Sequence, residues 1–457
     1  MKFNTIHTVY FVGVGGIGMS ALARYFKSQG KNVLGYDKTR TDLTILLEQE
    51  GIEIHYEDLG ESALHNLDKA NTLVIYTPAI PKEHRELNAF IAKEFFLIKR
   101  AKALGIISSE FETFAVAGTH GKTTTSTILA HVLYQTKEKC NAFIGGISVN
   151  YNSNCILASN SKRVVVEADE FDRSFLQLDP NYAVITSMDA DHLDIYGDGN
   201  HLKLSFNDFI NKVDKDGIVM VQADLDIHDF KLNPELKIRK YGFAQNAIWR
   251  GDNIRYIDGR FLFDIYHGNK LFADIELGIP GKHNAENAIA VFGLTYELGV
   301  SEETLRSALF SFKGVQRRFE YKIRRDDFVL IDDYAHHPTE IEAFLSSVRK
   351  MYPTKKITAV FQPHLFSRTR DFMDDFAISL SLCDELYLLD IYPARELPMV
   401  GITSDVLLEK VSLKKKYKSS KLKIVDDLKM SQREVVVIIG AGDIDTCVKP
   451  ITAAYSL

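Results

Sequence analysis

Two glycine-rich loops, each joining a β-branched run to a helical pattern, carry the residue types that bind phosphate. The first is Gly13-Val14-Gly15-Gly16-Ile17-Gly18, directly after the apolar run Thr8–Val12. Its G-x-G-x-x-G spacing lets the backbone approach a pyrophosphate, and the helix start behind it offers free N–H groups and partial positive charge. Asp37 closes the next strand-like run, where an acid can hold ribose hydroxyls. Alone, this loop would point to a dinucleotide-binding dehydrogenase, or to a tight turn with no ligand. Chemically it specifies only a pyrophosphate joined to a ribose, which a UDP-sugar satisfies as well as NAD.

The second loop is Gly118-Thr119-His120-Gly121-Lys122-Thr123-Thr124-Thr125, after the apolar run Phe114–Ala117. A Gly-Lys-Thr at a strand-to-helix junction is a phosphate cradle. Backbone N–H groups wrap the β-phosphate, Lys122 reaches the β and γ oxygens, and the Thr123 hydroxyl suits Mg²⁺. The spacing is the short form G-x-x-G-K-T. Two pyrophosphate-type loops are foreign to a dehydrogenase and natural to an enzyme that spends ATP on a nucleotide-linked substrate.

Acids follow the second loop. Arg163–Val166 leads into Glu167-Ala168-Asp169-Glu170 and Asp172, an oxygen-rich cluster that either suits Mg²⁺ beside a phosphate loop or is a solvated acidic loop. Tyr182–Thr186 leads into Asp189-Ala190-Asp191-His192, where His192 is either a metal ligand or a structural histidine. In Gly281-Lys282-His283-Asn284-Ala285-Glu286-Asn287, the asparagines either read an adenine ring or cap a helix. Further on, three runs end in polar clusters: Asp332–Glu340 with Tyr334, His336 and His337, Gln362–Arg370 with His364 and Arg368, and Asp390–Glu396. Placed on one sheet edge, they would grip a small zwitterion, a cation on its carboxylate. Arg317 and Arg318 stand where they would reach ATP phosphates or form surface ion pairs.

The elements that must position these residues read as strands alternating with crossover helices, hence parallel sheets in an α/β fold. The first block carries Thr8–Val12, Asn32–Tyr36, Ile52–His55, Thr72–Tyr76 and Ile106–Ser108. The second carries Phe114–Ala117, Arg163–Glu167, Tyr182–Thr186 and Gly217–Gln222, and the third Phe328–Ile331, Lys356–Phe361, Glu385–Leu389 and Glu434–Ile439. A chain of 457 residues has room for about three domains. The expected boundaries are 1–108, 109–315 and 316–457. The lysine run from Lys414 to Lys423 reads as a solvated loop and edge.

Composition excludes several classes. With 55 basic and 61 acidic residues the net charge is −6, which argues against nucleic acid as a partner. No apolar run of about 18 residues is present, so no membrane helix is expected. The N-terminus reads as a strand rather than a signal peptide. Four scattered cysteines, Cys140, Cys155, Cys383 and Cys447, suit a reducing cytoplasm and no zinc knuckle.

These stretches in this order resemble the Mur ligase family over essentially the whole chain. The resemblance rests on VGVGGIGMSALA (12–23), GTHGKTTT (118–125), EADEFDRSFL (167–176), DADHLD (189–194), GKHNAENA (281–288), GVQRRFE (314–320), DDYAHHPTE (332–340), FQPHLFSRTRDF (361–372) and IYPAREL (391–397). GVGGIGMS is particular to the alanine-adding branch. The family implies a Rossmann-like N-terminal domain for the UDP-sugar, a central P-loop-type ATPase domain with a mostly parallel sheet, and a Rossmann-like C-terminal domain for the amino acid. It implies ligation of L-alanine to the lactyl carboxylate of UDP-N-acetylmuramate through an acyl phosphate, in peptidoglycan precursor synthesis, with ATP and two Mg²⁺ ions, by a cytoplasmic monomer or weak homodimer. By matching positions, Gly118, Thr119, His120, Gly121, Lys122, Thr123, Thr124, Asn284, Asn287 and Arg318 would bind ATP. Lys122, Glu167, His192 and Arg318 would be catalytic, with Thr123, Glu167 and His192 as metal ligands. Gly15, Gly16, Gly18, Met19, Ser20, Asp37, Thr77, Pro78 and Ala79 would bind the UDP-substrate, and Tyr334, His336 and Arg368 the amino acid. Leu365 stands where some members carry arginine. A dehydrogenase would leave GTHGKTTT and EADE without a role; a P-loop regulator would leave the first loop and the third block without one.

Overall fold

The computed structural model describes residues 3–189, 199–257, 260–394 and 396–456. Three sheets organise them. The first is five parallel strands, β1 (Thr8–Val12), β2 (Asn32–Tyr36), β3 (Glu53–His55), β4 (Thr72–Tyr76) and β5 (Phe96–Lys99), in the order β3-β2-β1-β4-β5. The chain order reverses beside β1, and crevices form where strand order reverses. The loop Gly13–Gly18 therefore leaves β1 between the ends of β2 and β4.

The expected fifth strand, Ile106–Ser108, is instead the end of the helix Arg100–Ser108. Arg100-Ala-Lys-Ala-Leu ahead of it are strong helix formers with no break, so propensity carries the helix through the two isoleucines. The strand is the preceding Phe96–Lys99, entered through a turn at Glu94 with φ +54°.

The second sheet has ten strands: β6 (Glu112–Ala117), β7 (Asn141–Ser148), β8 (Ser153–Ile156), β9 (Arg163–Glu167), β10 (Tyr182–Ile185), β11 (Ile218–Gln222), β12 (Lys237–Gly242), β13 (Trp249–Ile257), β14 (Arg260–His267) and β15 (Lys270–Glu276). Their order is β15-β14-β13-β12-β11-β10-β6-β9-β7-β8. Parallel β9 and β10 flank β6, a second switch point, so the ends of all three open on one edge. The helix Lys122–Tyr134 behind β6 is buried from Thr123 to Leu133, which fixes the loop at its start.

The third sheet contains β16 (Glu320–Arg324), β17 (Val329–Asp333), β18 (Ile357–Phe361), β19 (Glu385–Leu388), β20 (Lys416–Lys418) and β21 (Val435–Ile439), ordered β16-β17-β21-β18-β19-β20. Only β16 runs antiparallel. β21 lies between β17 and β18, so its turn Gly440-Ala441-Gly442-Asp443 stands among the three polar clusters. The lysine run supplies edge strand β20, where Lys418 pairs with Asp390 at 2.6 Å.

The chain packs as two compact units. One holds residues up to Asp252 with Asp264–Ile275 and Glu286–Phe312; the other holds Asn253–Phe263, Glu276–Ala285 and the chain from Lys313. Within the first, the blocks around β1 and β6 are welded together. A Cβ on Gly105 would stand 2.2 Å from the Gln177 carbonyl, and the buried Asn154 amide donates to Ser20 Oγ at 2.8 Å. Among the described residues no helix is long and apolar enough to cross a membrane. All four cysteines are buried and unpaired.

Candidate active site

The second glycine loop is shaped by two left-handed glycines. Gly118 has φ +141°, and a Cβ there would lie 2.1 Å from Thr186 Oγ1; Gly121, φ +80°, caps the helix Lys122–Tyr134. Ser187, which the sequence reading did not single out, holds the loop from outside. The His120 N–H donates to Ser187 Oγ at 2.7 Å, Thr119 Oγ1 meets the same hydroxyl at 2.9 Å, and the Asp189 N–H donates to Thr119 Oγ1 at 3.0 Å. The signal was its place directly after β10. Thr123 and Thr124 are buried in the first helical turn. Lys122 curls back, its Nζ donating to the Gly118 carbonyl at 2.5 Å and to Glu170 Oε1 at 2.9 Å.

The acids after β9 do not form one cluster; each has its own partner. Glu167 accepts from Thr123 Oγ1 at 3.2 Å, Ser126 Oγ at 3.4 Å and the Gly145 N–H at 3.0 Å. Asp169 pairs with Arg100 at 3.0 Å, Glu170 with Lys122 at 2.7 Å and Asp172 with Lys99 at 3.0 Å. Burial raises the pKa of Glu170 above the usual carboxylate value, against the pull of Lys122. Asp169, Glu170 and Asp172 are thus each held by a separate cation of the chain, and the single oxygen-rich cluster expected from their spacing is not seen among the described residues. Glu167 with the Thr123 hydroxyl remains. That donor set fits Mg²⁺, which takes one or two carboxylates plus phosphate oxygens and keeps its waters. A Cβ on Gly145 would sit 2.2 Å from Glu167 Oε1, so that glycine makes room for the carboxylate. Among the described residues no three acidic, histidine or cysteine side chains converge on one point. His192 lies outside the described residues.

Asn287 reaches the loop: a Cβ on Gly121 would stand 3.2 Å from its Oδ1. Asn284 lies inside the helix Lys282–Glu297, not at its cap, and its buried amide donates to the Pro280 carbonyl at 2.6 Å.

At the first loop, Asp37 accepts from the Gly15 N–H at 2.7 Å and the Thr39 N–H at 3.1 Å. A Cβ on Gly13 would meet Thr77 Cγ2 at 2.9 Å, which sets the Thr77-Pro78-Ala79 turn against the loop. Gly16 is exposed, whereas Met19 and Ser20 are buried; the Ser20 hydroxyl donates to the Ile17 carbonyl at 2.9 Å. A cavity of about 100 Å³ lies between the first glycine loop and the end of β9, lined by Gly18, Arg100, Phe143, Gly145, Glu167 and Asp169 among others.

In the second unit, Arg317 is committed to structure. It donates to the Gly440 carbonyl at 2.5 Å and lies 3.5 Å from buried Asp332. The Arg318 guanidinium lies over the Tyr334 ring at 5.8 Å. The His336 ring stands 5.4 Å from that of Tyr334 and 6.1 Å from that of His364, and Arg368 Nη1 is 3.4 Å from His364 Nδ1. Burial, then His336 and Arg368, lower the His364 pKa to about 4, so a neutral imidazole faces the arginine. Glu396 accepts from the Ser367 N–H at 3.0 Å and so caps the helix Phe366–Asp371 that carries Arg368. Leu365 enters that helix with φ +71°. Tyr334, His336, His364 and Arg368 thus form one polar cluster.

Comparison with known proteins agrees with this arrangement. The chain matches the Mur ligase family, catalytic domain, over residues 8–112, the Mur ligase middle domain over 116–295, and the Mur ligase, glutamate ligase domain, over 317–443. It is 51% identical to a UDP-N-acetylmuramate–L-alanine ligase of Christiangramia forsetii, with 99% of this chain and 98% of the relative covered. It is 52% identical to the enzyme of that name from Flavobacterium psychrophilum, covering 97% of both. The crystal structure of a UDP-N-acetylmuramate–alanine ligase from Thermotoga maritima superposes with a TM-score of 0.84 at 27% identity, covering 98% of this chain and 99% of that one. Three α/β domains with mostly parallel sheets, and family matches in the same order along the chain, lead to one conclusion: the chain belongs to the Mur ligase family.

Proposed function

We propose that this chain joins L-alanine to the lactyl carboxylate of UDP-N-acetylmuramate, converting ATP to ADP and phosphate, as a step in peptidoglycan precursor synthesis. The observation that carries the reading is the cavity between the first glycine loop and the end of β9, because Gly18 of the UDP-sugar loop and Glu167, bonded to Thr123 of the nucleotide loop, line one space. Relatives at about half identity over the full chain bear the name of that activity. The assignment of UDP-sugar, ATP and amino acid to residues 1–108, 109–315 and 316–457 is part of the proposal.

A carboxylate is a poor acyl donor, so one of its oxygens attacks the γ-phosphorus and ADP leaves. The alanine amine then attacks the acyl carbon, the C–O bond breaks, phosphate departs, and the ammonium proton is lost. An anion attacking a polyanion needs counter-charge. Lys122 supplies it from the loop, and Arg318 is assigned to the phosphates. Backbone N–H groups of residues 118–124 cradle the nucleotide, with Asn284 and Asn287 on the adenine side. Thr123 and Glu167 would hold one Mg²⁺, which when bound adds counter-charge at the β- and γ-phosphates; a second ion is assigned to His192. Tyr334, His336 and Arg368 bind alanine, the arginine on its carboxylate. Gly15, Gly16, Gly18, Asp37 and Thr77–Ala79 bind the UDP-sugar. Met19 and Ser20 support that loop from beneath, since their side chains are buried. The protein is placed in the cytoplasm, as a monomer or weak homodimer.

Phosphate release from ATP and Mg²⁺ tests the reading, each substrate being omitted in turn. Release that requires both UDP-N-acetylmuramate and L-alanine supports it; release that needs neither overturns it. Glycine, L-serine or a peptide replacing L-alanine with equal efficiency would move the chain to another branch.

A further inference from the structure

We propose that Arg100 receives the lactyl carboxylate of the UDP-sugar, exchanging Asp169 for it, and thereby sets the attacking oxygen. Arg100 is the first residue of the helix Arg100–Ser108, immediately after β5. Its guanidinium packs against the first glycine loop: a Cβ on Gly18 would stand 2.6 Å from Nη1. The other end, Nη2, pairs with Asp169 at 3.0 Å, two residues from Glu167. Arg100 therefore bridges the first glycine loop and the acidic turn after β9 along the wall of the cavity that Gly18 and Glu167 line, and among the described residues lining that cavity it is the one cation.

The ion pair is built to be exchanged. Arg100 and Asp169 are 22% and 35% exposed, so an incoming carboxylate replaces the Asp169 carboxylate with little new desolvation. The neighbouring Lys99–Asp172 pair joins the same two segments and can hold them while Arg100 changes partner. The chemistry asks for a cation at this point. A sugar anchored at the first loop must present its carboxylate toward the nucleotide site, and both reactants are anionic. A guanidinium holding one carboxylate oxygen leaves the other free to attack phosphorus.

The assignment rests on the alanine-adding reading and deepens it. The test compares UDP-N-acetylmuramate with UDP-N-acetylglucosamine, which lacks the lactyl group, as ligands of the full chain measured by calorimetry. The wild type should prefer the muramate. Arg100→Ala should weaken the muramate by about 10- to 100-fold, the effect of losing a charge-assisted hydrogen bond, and leave the glucosamine within about twofold. Arg100→Gln, which retains the stem, should lose the same preference, with ADP binding as the check on folding. Asp169→Asn should keep the preference. A preference that survives both Arg100 variants, or equal weakening of both sugars, overturns the proposal, the latter making Arg100 a diphosphate contact or a structural latch. A wild type that binds neither sugar would remove the alanine-adding reading itself. A wild type that turns over while Arg100 proves indifferent removes only this assignment.

Discussion

Lys122 Nζ lies 2.7 Å from the buried carboxylate of Glu170 and 2.5 Å from the carbonyl of Gly118, four residues earlier in its own loop. The lysine assigned to the γ-phosphate is thus oriented by a carboxylate with no exposure of its own. Lys122→Ala should abolish turnover, by at least about 100-fold, and leave UDP-N-acetylmuramate binding within about threefold. It should also destabilise the fold, because a buried acid loses its cation, a change worth about 3–5 kcal/mol in comparable pairs. The double variant Lys122→Ala/Glu170→Gln should melt above Lys122→Ala alone. Equal melting temperatures would show that the pair is not coupled.

Gly145 and Glu167 make a second testable pair. Glu167→Ala should raise the Mg²⁺ concentration needed for half-maximal rate strongly. Gly145→Ala should do the same in part, because its methyl group would press on the carboxylate from 2.2 Å. An unchanged Mg²⁺ requirement in Glu167→Ala would remove that residue from the metal site.

These relationships mark the limit of what the sequence conveyed. Both glycine loops, their strands and the polar strand ends were legible, because glycine spacing and β-branched runs are local signals. The partners of the acids were not. Arg100 meets Asp169 and Lys99 meets Asp172 only because the helix Arg100–Ser108 packs on the turn Phe171–Gln177, a contact between distant segments. The same helix was misread, since Ile106 and Ile107 have strand propensity and sit in a helix set by their neighbours. β21 was legible as a strand, but its insertion between β17 and β18 was not, because topology is not written in period or propensity. Ser187 was hidden by the plainness of a lone serine.

Arg368 tests the proposed amino-acid site. It lies 3.4 Å from His364 on a helix capped by Glu396. Arg368→Ala should raise the KM for L-alanine by about tenfold or more, the loss of a charge-assisted contact, with the KM for UDP-N-acetylmuramate unchanged. Equal changes in both would place Arg368 outside that site.

His131, on the helix behind the nucleotide loop, sets an acid limit on stability. It is buried between the Tyr151 hydroxyl at 2.8 Å and Ser311 Oγ at 3.0 Å, and burial lowers its pKa from 6.5 to about 4. Between those values the unfolded chain binds a proton that the folded chain does not, so stability rises with pH across that window. The contribution is fully present above pH 6.5 and is lost as pH falls toward 4, in total on the order of 3 kcal/mol. Denaturation of the wild type and His131→Gln between pH 7 and 4.5 should show a shallower dependence in the variant; parallel curves would contradict this origin.

The central claim, that the two loops bring a carboxylate to the γ-phosphate of ATP, is tested most directly by isotope transfer. UDP-N-acetylmuramate labelled with ¹⁸O in both lactyl carboxylate oxygens is turned over with ATP and L-alanine, and the released phosphate is analysed by mass. Attack by the carboxylate followed by amine displacement leaves one labelled oxygen in each phosphate and one in the new amide. Unlabelled phosphate, with both labels retained in the unreacted sugar, would mean that water rather than the carboxylate receives the phosphoryl group, and would contradict the account.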